Sequence, residues 1–300
     1  MADKLFTNSH ILSWLHYFAD NTDIDLEHVK ILDITTKNKN LIPTVEAHRC
    51  VLVFTEAGNM DIFYKMWNVG LGDCEVIYNE GSDPVGPIKR DKVSAMIDRG
   101  INASAGMIVL NPNARSTIKF GMDNKKFASG SVKYVGSEIR SVLLSKMQIG
   151  EGKNVCVISG ESIAIETAMI SGEGTVIAVE YKESDRETME ENVNQFGLRN
   201  VVIVDHVGED TMSELPVPDV TMLVASASME QELEFLTKSN PDMEFVIYTL
   251  DFKVAASMRD ILAKYGMTDV NVIQIAVSQL TGKNLFESQP APWIITAQRQ

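Results

Sequence analysis

The chain is poor in cysteine, in basic charge and in long apolar runs, and each shortage removes a class of function. Its 300 residues hold three cysteines, Cys50, Cys74 and Cys156. They show neither Cys-x-x-Cys spacing nor an even count, so no disulfide framework is expected. Cys50 and Cys156 lie in apolar, strand-like runs and read as buried, reduced thiols of a cytoplasmic protein. Lys and Arg number 27 against 41 Asp and Glu, a formal net charge of −14. Nucleic acid and anionic membrane surfaces need clustered cations and are not expected partners. No window of about 18 apolar residues occurs, and no basic stretch precedes an apolar one near the start. Neither a membrane span nor a signal peptide is therefore expected. No histidine or cysteine has metal-ligand spacing, so no metal site is expected. A Ser-His-Asp order, an internal repeat and a low-complexity tract are missing too.

What remains is an ordinary globular composition, 45% hydrophobic and 23% charged, with room for two domains. In the first half, strand-like runs at Val29–Ile34, Cys50–Phe54, Glu75–Tyr78 and Gly106–Leu110 alternate with helical patterns at His10–Ala19, Asp61–Val69 and Lys89–Arg99. That alternation predicts a small α/β unit over residues 1–125. Turn residues at Asn111-Pro112-Asn113 and Phe120-Gly121-Met122-Asp123 punctuate the chain. Lys125-Lys126 and Ser129-Gly130-Ser131 then read as a linker. In the second half, residues 130–300, strands at Val155–Ser159, Val176–Glu180, Val201–Val204, Val220–Val224 and Glu244–Tyr248 alternate with helices. Those helices are expected near Glu138–Met147, Ser162–Ile170, Ser184–Phe196, Met229–Lys238 and Phe252–Tyr265. Two closing strands, Val270–Ala276 and Trp293–Ala297, flank a loop with no pattern of its own. Repeated β-α units with such an ending predict a doubly wound, mostly parallel sheet with an antiparallel edge hairpin.

The most informative stretch runs from Val155 to Glu166 and on through Thr175–Glu180. It reads as strand, tight turn, helix, and a second strand ending on a carboxylate, the order of a nucleotide-type cofactor site. The turn holds one glycine, Gly160, where such turns usually hold two or three. One reading is a tightened site in which Ser159, Gly160 and Ser162 still donate to a ligand. The other is a structural turn, with Ser162 as N-cap and Glu161 favoured by the helix dipole. Glu180 is either the ribose-binding acid or a solvated carboxylate at a strand end. Losing two or three donors at about 0.5–1.5 kcal/mol each would cost roughly 10- to 1000-fold in affinity.

Several segments resemble precorrin-6Y C5,15-methyltransferase, the decarboxylating enzyme of corrin synthesis. Ser137–Met147 is similar to the opening helix of its decarboxylating half, and Glu190–Val201 to its second helix and third strand. Gln274–Lys283 and Pro292–Ala297 resemble its ending. Val69-Gly70-Leu71-Gly72-Asp73, Ile108–Pro112 and Thr7–Lys37 resemble the later part of its neighbouring tetrapyrrole-methylase domain. The resemblance covers nearly the whole chain in the right order, although each motif is short. It implies half of a tetrapyrrole-methylase fold followed by a Rossmann-like methyltransferase domain. It also implies a start within the family's first domain, past that domain's glycine-rich loop. Asp33-Ile34-Thr35-Thr36-Lys37 stands where the family has Ser-x-His-Gly-Arg, so C5 methylation is not expected.

The resemblance further implies S-adenosylmethionine as cofactor, a tetrapyrrole or other small molecule as substrate, and a homo-oligomer. Methyl transfer to C15 with loss of the C12 acetate as carbon dioxide would rest on positioning, and no catalytic side chain is assigned. Cofactor residues carried over are Ser159, Gly160 and Glu180, with His206 near the adenine position and Ser226 after the fourth strand. His206 also reads as a merely exposed loop residue, and Ser228 as the N-cap of the helix from Met229. Glu138 and Arg140 keep a Glu-x-Arg that would face the tetrapyrrole carboxylates, or, for Arg140, form an intrachain ion pair. A non-catalytic relative that keeps the fold as a binding or partner subunit is the alternative.

Overall fold

The computed structural model describes residues 7–35, 40–56, 61–97, 99, 105–114, 120–128, 130, 135–150 and 152–299. Thr36, Lys37, Ser129 and Ser131 of the stretches quoted above lie outside them. Contacts divide the chain into two compact units, Met1–Ile118 with Gln195–Arg199, and Lys119–Asn194 with Asn200–Gln300.

The first unit carries β1 (Lys30–Asp33), β2 (Cys50–Thr55), β3 (Glu75–Tyr78), β4 (Lys89–Lys92) and β5 (Ala105–Leu110) in the order β1-β2-β5-β3-β4. β1 runs parallel to β2, and the other pairs are antiparallel. Strand side chains alternate between faces, so an unbroken apolar run such as Cys50–Phe54 needs cover on both. Cys50, Leu52 and Phe54 meet Trp14, Tyr17 and Phe18 of α1 (Asn8–Asn21). Val51 and Val53 pack with Ile42 and Val45 of α2 (Leu41–Ala47) and with Phe63 and Met66 of α3 (Asp61–Met66). Gly106 on β5 lies under Trp14: a Cβ there would come within 2.6 Å of the indole. Only a hydrogen fits at that approach.

The helix expected over Lys89–Arg99 is not formed. Its first residues are the edge strand β4, followed by a single 3-10 turn at Val93–Ala95. The Lys-Arg-Asp-Lys run is stabilised by pairing outward charges. Lys92 reaches Asp73 at 2.8 Å and Arg90 reaches Glu75 at 3.3 Å, while the Tyr78 hydroxyl donates to Asp91 at 2.8 Å. Charged edge strands of this kind resist pairing with other chains.

The second unit carries β6 (Val155–Ile158), β7 (Val176–Val179), β8 (Val201–Val204), β9 (Val220–Val224), β10 (Glu244–Thr249), β11 (Asp269–Gln274) and β14 (Trp293–Gln298). Their order is β11-β14-β10-β9-β6-β7-β8. β8, β7, β6, β9 and β10 are parallel, and β14 lies antiparallel between β10 and β11. The helices are α4 (Ser137–Met147), α5 (Glu161–Ser171), α6 (Glu183–Gln195), the short α7 (Glu209–Met212), α8 (Met229–Ser239) and α9 (Phe252–Ala263). Leu233, Leu236, Met258 and Leu262 of α8 and α9 cover Ile158, Ile177, Leu223 and Ile247 on one face. α4 and α5 pack against the sheet as well. The loop expected to lack structure before β14 holds a two-stranded ribbon, β12 (Ser278–Leu280) with β13 (Phe286–Ser288).

All three cysteines are buried, which pushes the Cys50 and Cys74 thiols up to about 11 and Cys156 up to about 12. They are neutral thiols at ordinary pH. No described helix is long and apolar enough to cross a membrane.

Candidate functional site

Strand order reverses at β6, which neighbours both β7 and β9. In doubly wound sheets the carboxyl ends of such strands frame the ligand crevice. The turn from β6 into α5 supplies the first wall. Ser159 donates its main-chain N–H to the Val179 carbonyl at 3.0 Å and then takes φ +56°. That left-handed backbone is the conformation a glycine adopts freely and a serine at a cost of about 1–2 kcal/mol. Gly160 follows for a different reason. A Cβ there would sit 2.7 Å from Val157 Cγ1 and 3.4 Å from Met222 Sδ.

Gly160 occupies the N-cap position of α5, so Ser162 is not the cap. Ser162 is buried in the first turn, and its hydroxyl accepts from Arg140 Nη1 at 3.4 Å. Because α5 is buried along most of its length, its two glutamates are buried with it. Glu166 accepts from the amides of Gly121 at 2.7 Å and Met122 at 2.9 Å, and from Arg140 Nε at 2.8 Å. Arg140 is fully buried, with further donations to Asn124 Oδ1 at 2.7 Å and the carbonyls of Val135 and Met122. Its guanidinium also lies over the Phe127 ring, 4.9 Å from the centroid. This cation is engaged inside the second unit, so the intrachain ion pair that the sequence allowed is formed.

Glu161 meets two other acids. Glu180, just beyond β7, and Asp185, in the first turn of α6, each bring a carboxylate oxygen within 4.8 Å of it and of each other. All three are buried. Glu180, 2% exposed, accepts the Gly160 N–H, while its Oε1 has no hydrogen-bond partner among the described residues. Burial, reinforced by Glu161 and Asp185, raises its pKa to about 8. Desolvation and like charge both favour the neutral acid, and the single amide bond opposes them.

The remaining positions have partners of their own. His206 contacts Asp205 Oδ1 through Nδ1 at 2.7 Å and Asp210 Oδ1 through Nε2 at 3.0 Å. These two bonds raise its pKa. Ser226 is exposed and its hydroxyl lies 2.9 Å from that of Ser228. Ser228 does hold the N-cap position of α8, but its hydroxyl donates to Glu232 Oε1 at 2.7 Å instead of capping. Tyr181 donates to the same carboxylate oxygen. Glu138, itself exposed in the first turn of α4, accepts from Gln279 at 2.8 Å and Gln289 at 3.4 Å, flanking the β12–β13 ribbon. Ser159, Gly160 and Glu180 thus form one constellation. Asp185 and Glu166 are buried acids too, and they escaped sequence reasoning. For Glu166 the readable signal was an acid stranded in the apolar Ile163–Ile170 run.

The family model for the precorrin methyltransferase domain matches residues 130–291, more than half of the chain. Precorrin-6Y C5,15-methyltransferase from Geobacter metallireducens GS-15 superposes with a TM-score of 0.56 at 23% identity, over 60% of this chain and 98% of that one. Precorrin 8w decarboxylase from Methanobacterium thermoautotrophicum gives 0.51 at 17% identity, over 59% and 98%. The C-terminal domain of precorrin-6Y C5,15-methyltransferase from Rhodobacter capsulatus gives 0.50 at 19% identity, over 61% and 100%. No curated protein shows significant sequence similarity to the chain. At these identities the structures establish a shared fold, and the family match carries the assignment: the chain belongs to the precorrin methyltransferase family.

Proposed function

We propose that the protein is a C15-type precorrin methyltransferase relative of the corrin pathway whose cofactor site is altered, so that it binds S-adenosylmethionine weakly. One observation carries the reading: the buried meeting of Glu161, Glu180 and Asp185. A cofactor carboxylate directed at the start of α5 would meet the Glu161 carboxylate instead of open amides. A ribose diol would find Glu180 turned onto the Gly160 N–H and crowded by two further acids. These residues do not fit the cofactor, and no step is assigned through it.

A non-catalytic tetrapyrrole-binding or partner subunit is the second reading, favoured by the same acidic filling and by the internal engagement of Arg140. Self-association belongs to the proposal too. The β12–β13 ribbon holds out Leu280, Leu285 and Phe286, the last 74% exposed, and a second copy would cover them. Incubation of the protein with a precorrin and S-adenosylmethionine, followed by mass spectrometry, separates the readings. Gain of one methyl with loss of carbon dioxide at an ordinary enzymatic rate would refute altered cofactor binding. Tetrapyrrole that co-elutes with the protein at unchanged mass would support the binding subunit.

A further inference from the structure

We propose that Glu161, Glu180 and Asp185 form a site for a divalent cation of hard, oxygen-seeking character, of the magnesium, manganese or calcium type. Three carboxylates from three elements, the starts of α5 and α6 and the end of β7, place oxygens within 4.8 Å of one another. Ligand oxygens around such ions are separated by similar spans, and the all-oxygen donor set, with no sulfur or imidazole, selects these metals over zinc or copper.

Clustering alone does not make a site, since acids gather on many surfaces. Here the group is buried, and Glu180 Oε1 is a sealed acceptor, on a residue 2% exposed, that no donor among the described residues satisfies. Buried polar atoms normally find a partner, and a buried carboxylate needs a counter-charge or a proton. Among the described residues, the groups acting on Glu180 are two further acids and one amide, with no cation. The nearby Arg186 directs Nη1 to the main-chain carbonyls of Glu180 and Tyr181, at 2.9 and 3.0 Å, and not to the carboxylates. Gly130 passes so close that a Cβ on it would stand 2.6 Å from Glu161 Oε1 and 3.3 Å from Asp185 Oδ1, so no side chain at that position comes between the two acids.

The inference goes beyond the methyltransferase reading and does not depend on it, because it is tested without S-adenosylmethionine. The full chain, stripped with chelator at pH 8, is melted in rising magnesium, manganese or calcium chloride at constant ionic strength. At least one ion should raise the melting temperature saturably, by about 5 °C or more at roughly 100-fold excess over its dissociation constant. Glu180→Gln and Asp185→Asn should each abolish that rise while melting, in chelator, no lower than the parent. Manganese counted by electron paramagnetic resonance should give one tightly held ion per parent chain. The proposal is overturned if none of the ions produces a saturable shift or if the bound-ion count is zero. A shift equal in parent and both variants overturns it too, because the ion would then sit elsewhere, for instance at the exposed Asp25, Glu27 and His28.

Discussion

Replacing Glu180 by glutamine should make the protein more stable at alkaline pH, against the usual result of altering a buried site. In the folded chain this acid holds its proton up to about pH 8, whereas its ordinary value is 4.5. Folding thus takes up a proton over this window. The stabilising contribution is complete below about pH 4.5 and is lost as pH rises through about 8. About 3.5 pH units at 1.36 kcal/mol each set a ceiling of about 5 kcal/mol, and sharing of protons with Glu161 and Asp185 brings the expected loss to about 2–4 kcal/mol. Glutamine keeps the shape and can still accept the Gly160 N–H, but it carries no charge to expel. In chelator, urea or thermal unfolding at pH 5.5, 7 and 8.5 should show parent and variant within about 1 kcal/mol at the lowest pH, diverging in the variant's favour above it. Parallel curves, or a parent that gains on the variant as pH rises, would refute the buried-acid argument.

Glu166→Gln should cost about 3–5 kcal/mol in urea unfolding, because it leaves the buried Arg140 guanidinium without its counter-charge. A loss below about 1 kcal/mol would mean that the ion pair is not what holds residues 121–122 onto α5. Ser159→Gly should leave stability unchanged or raise it by up to about 1 kcal/mol, since relief of the left-handed serine outweighs the added chain entropy. A destabilisation of more than about 1 kcal/mol in the same assay would show that the serine side chain has a role the backbone does not reveal.

How much of this was readable beforehand depended on range. The runs Val155–Ile158, Val176–Val179 and Val220–Val224 announced themselves because apolar stretches of strand length, bounded by turns, have few other uses. β4 did not, because an edge strand that pairs Lys92 with Asp73 and Arg90 with Glu75 carries no apolar alternation. The ribbon at Ser278–Ser288 escaped for the same reason, being exposed on every strand residue. In the site, the place of Glu180 at the end of β7 was legible, yet its fate was not. Whether it is solvated, binds ribose or is sealed among acids is decided by where Glu161 and Asp185 fold, and no local pattern encodes that meeting. Arg140 left two readings open on sequence, and the approach of its ion-pair partner, Glu166 on α5, was not legible there.

Calorimetric titration of the purified chain, in chelator, with S-adenosylmethionine and S-adenosylhomocysteine bears most directly on the proposal of an altered cofactor cleft. A dissociation constant near or above about 1 mM is the expected result, because two or three lost donors and the repulsion from Glu161 act together. Binding of either ligand in the micromolar range would contradict the account.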